Sequence, residues 1–249
     1  MSVVYTINPQ YKDSVHTLRL HSIDQVFSLK APIIARDPIS RVMRMDANGS
    51  HYYVKCYTRS GKYLRRFIGR SRLRAEYKNL QFFAACGIPT APIVALGVER
   101  KYGLFRRGYL ITDEIQNTQD LAEIAAANDP RLHDRHWIRC VSKQIARHTA
   151  TLHRHGFIHN DLKWRNILIQ DINEPKVYFI DCPVGRRRFG LLRKRGIIKD
   201  IACLDKLARK HLNRTDRLYF YKEYTGRQRI DLQDKTLIKR IVHFFDNRD

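Results

Sequence analysis

One eleven-residue stretch, HNDLKWRNILI from His159 to Ile169, constrains the fold of this chain more than any other feature. Its polar residues come first and its apolar ones last, an order that a plain surface loop does not need. Asp161 and Asn166 stand five positions apart, and Ile167–Leu168–Ile169 then opens an apolar run. A second run, KVYFID, ends on Asp181, fifteen positions beyond Asn166. Two short runs rich in β-branched and aromatic residues around a polar turn read as a hairpin. Such a hairpin returns Asp181 to the end at which Asn166 stands.

The rest of the chain orders itself around that hairpin. Residues 1 to about 60 read as strands and turns. RVMRMDANGSHYYVKCYT gives two strands around the turn Asp46–Ala47–Asn48–Gly49, a good hairpin signal. Leu73, Tyr77, Leu80 and Ala84 recur at helical spacing, which predicts a helix over about 70–86 with Gly87 as its C-terminal cap. PTAPIVALGVE reads as a strand after a proline-marked loop, and YGLFRRGYLITDEI as one or two more. From Thr118, a candidate cap for QDLAEIAAAN, the pattern turns helical. Trp137, Val141, Ile145, His148 and Leu152 line one face of a long helix that ends at Gly156. The C-terminal third is mostly helical, with DIACLDKLARKHL and KTLIKRIVHFF the clearest segments. A strand-rich front therefore precedes a helix-rich back, joined near 113–119.

An Asp and an Asn side by side offer hard oxygen ligands suited to Mg²⁺, which implies a phosphate-bearing substrate. A second carboxylate on the same loop but off the metal, Asp161, can accept a proton from an attacking hydroxyl. The front half supplies a cation. YYVKCY puts Lys55 on a strand, twenty-one residues before Glu76 in the expected helix. Lys55 can hold phosphates, and Glu76 can keep it placed and protonated when none is bound. Together these are the parts of a phosphoryl-transfer site.

Lys and Arg number 47 against 24 Asp and Glu, a net charge of +23. So large a charge disfavours the compact state by self-repulsion and points to an anionic partner. Two blocks concentrate it. Arg59, Lys62, Arg65, Arg66, Arg70, Arg72 and Arg74 form one, and Arg186, Arg187, Arg188, Arg193, Lys194, Arg195 and Lys199 the other, neither containing an acid. Guanidinium groups bind phosphate and carboxylate bidentately. Basic residues near an anionic bilayer each contribute about 1 kcal/mol of attraction. Five scattered cysteines without C-x-x-C read as reduced thiols with no disulfide partners. No apolar run is long enough for a membrane span, and MSVVYTINPQ lacks the marks of a signal peptide, so a cytoplasmic location is expected.

LHRHGFIHNDLKWRNILI closely resembles the catalytic loop of protein-kinase-like enzymes, with its helix end, H-x-D-L-x-x-x-N and following strand. YFID resembles the strand that leads to their metal-binding Asp. The nearer resemblance is to the lipopolysaccharide core kinases of Gram-negative bacteria, the WaaP/KdkA/InaA group, which phosphorylate heptose or Kdo sugars of the inner core. It runs through SGKYLRRFIGRSRLRAEYKNLQFFAACGIPTAPIVALG, YLITDEIQNTQDL, the catalytic loop and RKRGIIKDIACL, over roughly residues 40–210.

The resemblance implies an α+β, bilobal protein-kinase-like fold. A small strand-rich N-lobe with one main helix takes residues 1–112, a hinge takes 113–119, and a mostly helical C-lobe takes 120–249. It implies ATP and Mg²⁺ as cofactors. Asp161 becomes the catalytic base, with Lys163 against the transferred group. Asn166 and Asp181 become metal ligands, and Lys55 and Glu76 the nucleotide-side ion pair. Asp113, Glu114 and Ile115 become the hinge that meets adenine. Asp200 becomes the helix-borne carboxylate that braces the loop, and His159 holds the loop's shape. Arg186, Arg187, Arg188, Arg193 and Arg195 become the contacts to the acidic acceptor, a core glycolipid. The enzyme would work at the periphery of the anionic cytoplasmic face of the inner membrane, with nucleic acid not expected as a partner.

Departures from protein kinases are informative. No G-x-G-x-x-G precedes Lys55, DCP stands in place of D-F-G, and no A-P-E follows. Asp200 stands only nineteen positions beyond Asp181, which is short for a peptide platform. Two other readings stay open. One is an atypical RIO-like or tRNA-modification-linked kinase acting near RNA. The other is a non-catalytic pseudokinase that binds anionic glycolipid. His148, His153, His155 and His159 resemble a metal cluster, but their spacing favours packing. Trp164 either faces a sugar or packs.

Overall fold

Alternating apolar residues in the front of the chain build an antiparallel sheet. The computed structural model describes residues 1–13, 22–47, 49–60 and 71–246. The chain divides into two compact units, Met1–Gln81 with Ala91–Ile115, and Phe82–Thr90 with Gln116–Asp249.

The first unit holds β1 (Ser2–Ile7), β2 (Ile33–Arg36), β3 (Ser40–Ala47), β4 (Ser50–Tyr57), β5 (Ile93–Lys101) and β6 (Leu104–Asp113), in the order β1-β5-β6-β4-β3-β2. Strands β3 and β4 form the hairpin read from the sequence, with Ala47 opposite Ser50. Gly49 sits at φ 76, a left-handed turn conformation that a residue without Cβ takes at little cost. Asn48 of that turn lies outside the described residues. Met43, Val54, Cys56, Val94 and Ile111 are buried together on one face.

A short helix covers that face, where the sequence had suggested only strands and turns. This is α1 (Ile23–Ser28), which buries Ile23 and Val26. Its start is a capping box: Ser22 Oγ accepts the Gln25 N–H at 3.2 Å, and the Gln25 side chain accepts the Ser22 N–H at 3.0 Å. The signal, Ser followed three positions later by Gln, is present in the sequence but spans too few residues for periodicity to show. Helix α2 (Arg72–Ala85) fills the span expected for 70–86. It ends in a Schellman arrangement: Gly87 at φ 70 donates to the Ala84 carbonyl at 3.0 Å, and Ile88 to that of Phe83 at 2.9 Å. Lys62, Arg65, Arg66 and Arg70 of the first basic block lie outside the described residues.

The second unit is mainly helical. Strands β7 (Thr118–Asp120), β9 (Ile167–Asp171) and β10 (Pro175–Phe179) form one sheet; β8 (Phe157–Ile158) pairs with β11 (Arg186–Arg187) in another. The helices are α3 (Leu121–Ala126), α4 (Arg135–Arg154), α5 (Gly190–His211), α6 (Arg214–Thr225) and α7 (Leu232–Val242). The expected cap at Thr118 is corrected. Thr118 is in β7 opposite Gln170, and Asp120 caps α3 by accepting the N–H groups of Ala122 and Glu123, both at 2.8 Å. The Asp120 carboxylate satisfies two of the orphan donors at the start of the helix, a role that Thr118, two residues earlier in the ladder, does not take.

Trp137, Val141, Ile145 and Leu152 form the buried stripe of α4. His148 lies half-buried on that helix against the Phe179 ring, and burial pushes its pKa down to about 4. Among the described residues no helix is long and apolar enough to cross a membrane.

Candidate functional site

The loop between β8 and β9 is held by a neighbouring helix as well as by its own sequence. Helix α5 approaches closely because residue 196 is glycine; a Cβ there would lie 2.8 Å from Ile158. Four residues on, fully buried Asp200 accepts the backbone N–H groups of His159 at 2.7 Å and Asn160 at 2.8 Å. It also lies 3.3 Å from His153 Nε2. Lys199 Nζ donates to the Asn160 carbonyl at 2.8 Å. Asn160 takes a left-handed φ of 67, which Asn tolerates. Its carboxamide donates to the carbonyls of Ile158 and Val184, both at 3.1 Å. All but the His153 contact are hydrogen bonds to backbone, so the loop's shape is over-determined.

The next residue carries the carboxylate. Asp161 Oδ1 lies 2.7 Å from Lys163 Nζ, and Oδ2 lies 3.7 Å from the Arg165 guanidinium. Burial pushes its carboxyl up, but the Lys163 ammonium, with Arg165, outweighs that and holds it below the usual carboxylate range. It is therefore ionised and able to accept a hydrogen bond at neutral pH.

Asn166 Nδ2 donates to the Asp161 carbonyl at 2.8 Å, which fixes the carboxamide and leaves its oxygen without a hydrogen bond among the described residues. Phe179 lies opposite Ile167, and the Ile180 N–H donates to the Asn166 carbonyl at 3.0 Å. The hairpin thus delivers Asp181 beside Asn166. Asp181 itself sits at φ 53, a strained conformation for a non-glycine residue and one that clusters at functional sites. A carboxylate and an oriented amide oxygen at one hairpin end fit a hard divalent cation.

His159 lies fully buried between the rings of Phe83 and Phe179. Burial lowers its pKa, so the imidazole is neutral; neither ring nitrogen has a hydrogen-bond partner among the described residues. It supports the loop by packing. Trp164 also packs: it is buried, and its indole N–H donates to the Leu204 carbonyl at 2.9 Å.

In the first unit, Lys55 Nζ on β4 meets Glu76 Oε1 on α2 at 3.0 Å, and Tyr57 donates to the other Glu76 oxygen. Glu76 is buried, so its charge needs partners such as these. Asp113 at the end of β6 accepts from Tyr11, and burial beside that carboxylate pushes the Tyr11 phenol up to about 12. Glu114 accepts from Tyr53 at 3.0 Å and faces Arg44 at 3.4 Å. The N–H groups of Asp113 and Glu114 donate to Pro92 and His51. Both side chains are thus engaged within the sheet, and buried Ile115 follows them.

The arginines after Asp181 divide. Arg186 and Arg187 form β11, opposite Ile158 and Phe157, and are exposed, as are Lys194 and Arg195; Arg188 is half-buried. Arg193, grouped with them on sequence, turns inward: its guanidinium donates to the His153 carbonyl at the end of α4 at 2.8 Å. Tyr57, Arg165, Asn160 and Lys199 were missed on sequence. Arg165 had a signal, lying four residues from Asp161. The other three act across long separations that no local pattern encodes. An apolar cavity of about 460 Å³ in the second unit, lined by Trp137, Val141, Trp164, Leu204, Tyr221 and Ile241 among others, was equally illegible.

Residues 34–224 match the lipopolysaccharide kinase (Kdo/WaaP) family. A 3-deoxy-D-manno-octulosonic acid kinase of Actinobacillus succinogenes is 26% identical over 113 residues, 45% of this chain and 44% of that kinase. The match therefore spans less than half of that relative's length. Among solved structures, WaaP in complex with acyl carrier protein superposes with a TM-score of 0.74 at 21% identity, covering 99% of this chain and 98% of that one. Rad53 1-466 in complex with AMP-PNP gives a TM-score of 0.54 at 18% identity, over 94% of this chain and 64% of that one. The fold is thus protein-kinase-like, an antiparallel-sheet unit followed by a helical one.

Proposed function

Because the chain belongs to the lipopolysaccharide kinase (Kdo/WaaP) family, we propose that it transfers the γ-phosphoryl group of ATP, with Mg²⁺, to a heptose or Kdo hydroxyl of the lipopolysaccharide inner core. The observation that carries this reading is the loop around Asp161: an ionised carboxylate, held by Lys163, on a backbone fixed by Asp200.

Asp161 accepts the hydrogen bond of the acceptor hydroxyl, orients its oxygen for in-line attack, and takes its proton as the phosphoryl group transfers. Lys163 swings between Asp161 and the phosphoryl oxygens. Asn166 and Asp181 hold the metal, which would shield the charge on the phosphates. Lys55, fixed by Glu76 and Tyr57, meets the α- and β-phosphates, and Asp113–Ile115 the adenine. Arg186, Arg187, Arg188 and Arg195 receive the carboxylates and phosphates of the acceptor. The work takes place at the cytoplasmic face of the inner membrane, because a lipid-anchored acceptor brings the enzyme to its bilayer and the basic residues favour an anionic one.

A partner reading is favoured by one observation, the apolar cavity in the second unit. WaaP was solved in complex with acyl carrier protein. An apolar cavity of about 460 Å³ suits an acyl chain, so a carrier-borne acyl group is the partner it would accept. Filling it with Val141→Trp should abolish binding of acylated carrier and leave that of ATP unchanged.

The main test is phosphate incorporation from labelled ATP into purified, dephosphorylated core lipopolysaccharide, with Mg²⁺, for wild type beside Asp161→Ala. Label that reaches the glycolipid and vanishes in the variant supports the reading. Label in RNA or protein instead, or none with ATP still bound, overturns it.

A further inference from the structure

Between Asp181 and Asp200 the chain carries seven arginines and lysines and no acid. Within that basic segment stand three large apolar side chains that the second unit leaves in solvent. Phe189 is 79% exposed, Leu191 82% and Leu192 60%. Elsewhere in this unit Ile172, Leu218 and Leu232 are exposed singly; these three fall within four positions.

The exposure does not come from a loose loop. Just before the triplet, Arg186 and Arg187 are paired with β8, and the Arg188 N–H donates to the Gly156 carbonyl at 2.8 Å. Just after it, Arg193 is tied to the His153 carbonyl. Phe189–Leu192 is the short bridge between two anchors on the same end of α4. The protein holds these side chains out.

They present on the order of 400 Å² of apolar surface, the size of a functional patch. That is about half of what each side of a standard protein interface buries. A bilayer needs no such area. Phe and Leu enter the boundary between headgroups and acyl chains, while flanking guanidinium and ammonium groups stay at the level of the phosphates. The absence of any acid in the segment matches an anionic surface.

We infer that Phe189, Leu191 and Leu192 insert into an anionic bilayer, with Lys194 beside them at lipid phosphates and Arg186, Arg187 and Arg195 on the anionic groups of an acceptor held in the same surface. β11 pairs with β8, which leads directly into the Asp161 loop, so insertion would seat that loop at the surface where a lipid-anchored acceptor lies. This rests on the glycolipid reading for its purpose, but its test needs neither acceptor nor ATP.

The experiment is sedimentation of the full chain with vesicles of phosphatidylcholine and phosphatidylglycerol, at low salt and at about 0.5 M salt, where exposed charges are screened. Wild type should bind in both. F189S/L191S/L192S should bind at least tenfold more weakly at high salt and keep part of its low-salt binding. Because the three sites are exposed, the variant should melt like wild type. As a second readout, the emission of an L191W protein should shift to the blue on vesicles beyond any shift in L191W/F189S/L192S. Equal high-salt binding by wild type and the triple variant, or no blue shift, overturns the inference. So does self-association of wild type without vesicles that the triple variant loses, which would assign the patch to a second copy. Vesicle insertion without transfer to lipopolysaccharide would sink the glycolipid reading and leave this one standing; transfer without insertion would do the reverse.

Discussion

Two lysine–carboxylate pairs of nearly equal length occupy the two units, and their surroundings make them different devices. Lys55 and Glu76 meet at 3.0 Å with side chains 15% and 6% exposed. Lys163 and Asp161 meet at 2.7 Å with side chains 48% and 28% exposed. Removing one partner of a buried pair strands a charge in low dielectric and costs about 3–5 kcal/mol. An exposed pair is screened and worth little to stability, so it can open and re-form. Distance does not rank these contacts; burial does. The first pair suits holding a cation in one place, and the second suits a carboxylate whose partner must move during a reaction.

Four measurements break or sharpen that contrast. The largest effect is expected on turnover: Asp161→Ala should lower kcat by about a thousandfold or more, with Tm within about 2 °C of wild type. A large loss of stability would mean that Asp161 is structural and that the pairs are alike. Next, Glu76→Ala should cost about 3 kcal/mol in urea unfolding and raise the KM for ATP. Stability unchanged by this substitution would remove the contrast from the other side.

Lys163→Ala should show itself mainly in the pH profile. In the folded protein the Asp161 carboxyl is held low, so its ionised form persists until pH falls through that lowered value. The stability that this ionisation contributes is present above the unfolded carboxylate pKa and is lost over the same fall in pH. Without Lys163 the carboxyl rises, and the acidic limb of kcat/KM should move to higher pH; an unmoved limb would detach Lys163 from Asp161. The smallest effect belongs to Tyr57→Phe. It removes one donor from Glu76 and should cost about 1 kcal/mol, with ATP affinity changed less than in Glu76→Ala.

The hairpin shows how much was legible beforehand. Its two apolar runs are local, so β9 and β10 and the meeting of Asn166 with Asp181 could be read from spacing. The long helix α4 was legible for the same reason, its stripe repeating over about four turns. Helix α1 was not, because six residues give periodicity too little length and its capping box was the only mark. The cap of α3 was misplaced by two residues because Thr118 and Asp120 are both good caps, and only the pairing of Thr118 with Gln170 separates them. In the basic segment, composition put Arg193 among ligands, whereas a carbonyl forty residues away claims it.

The sequence by itself determined the types of the longer elements, the order of the site residues and the family. These depend on residue identity at short spacing, which periodicity, turn chemistry and motif carry directly. Tertiary structure alone decided which charges are held inside and which are displayed. Asp200 faces the backbone of His159 and Asn160, Arg193 turns inward, and Phe189, Leu191 and Leu192 stay in water. Those outcomes depend on which surfaces meet across dozens of residues, and burial changes the energy of one and the same charge from negligible to several kcal/mol.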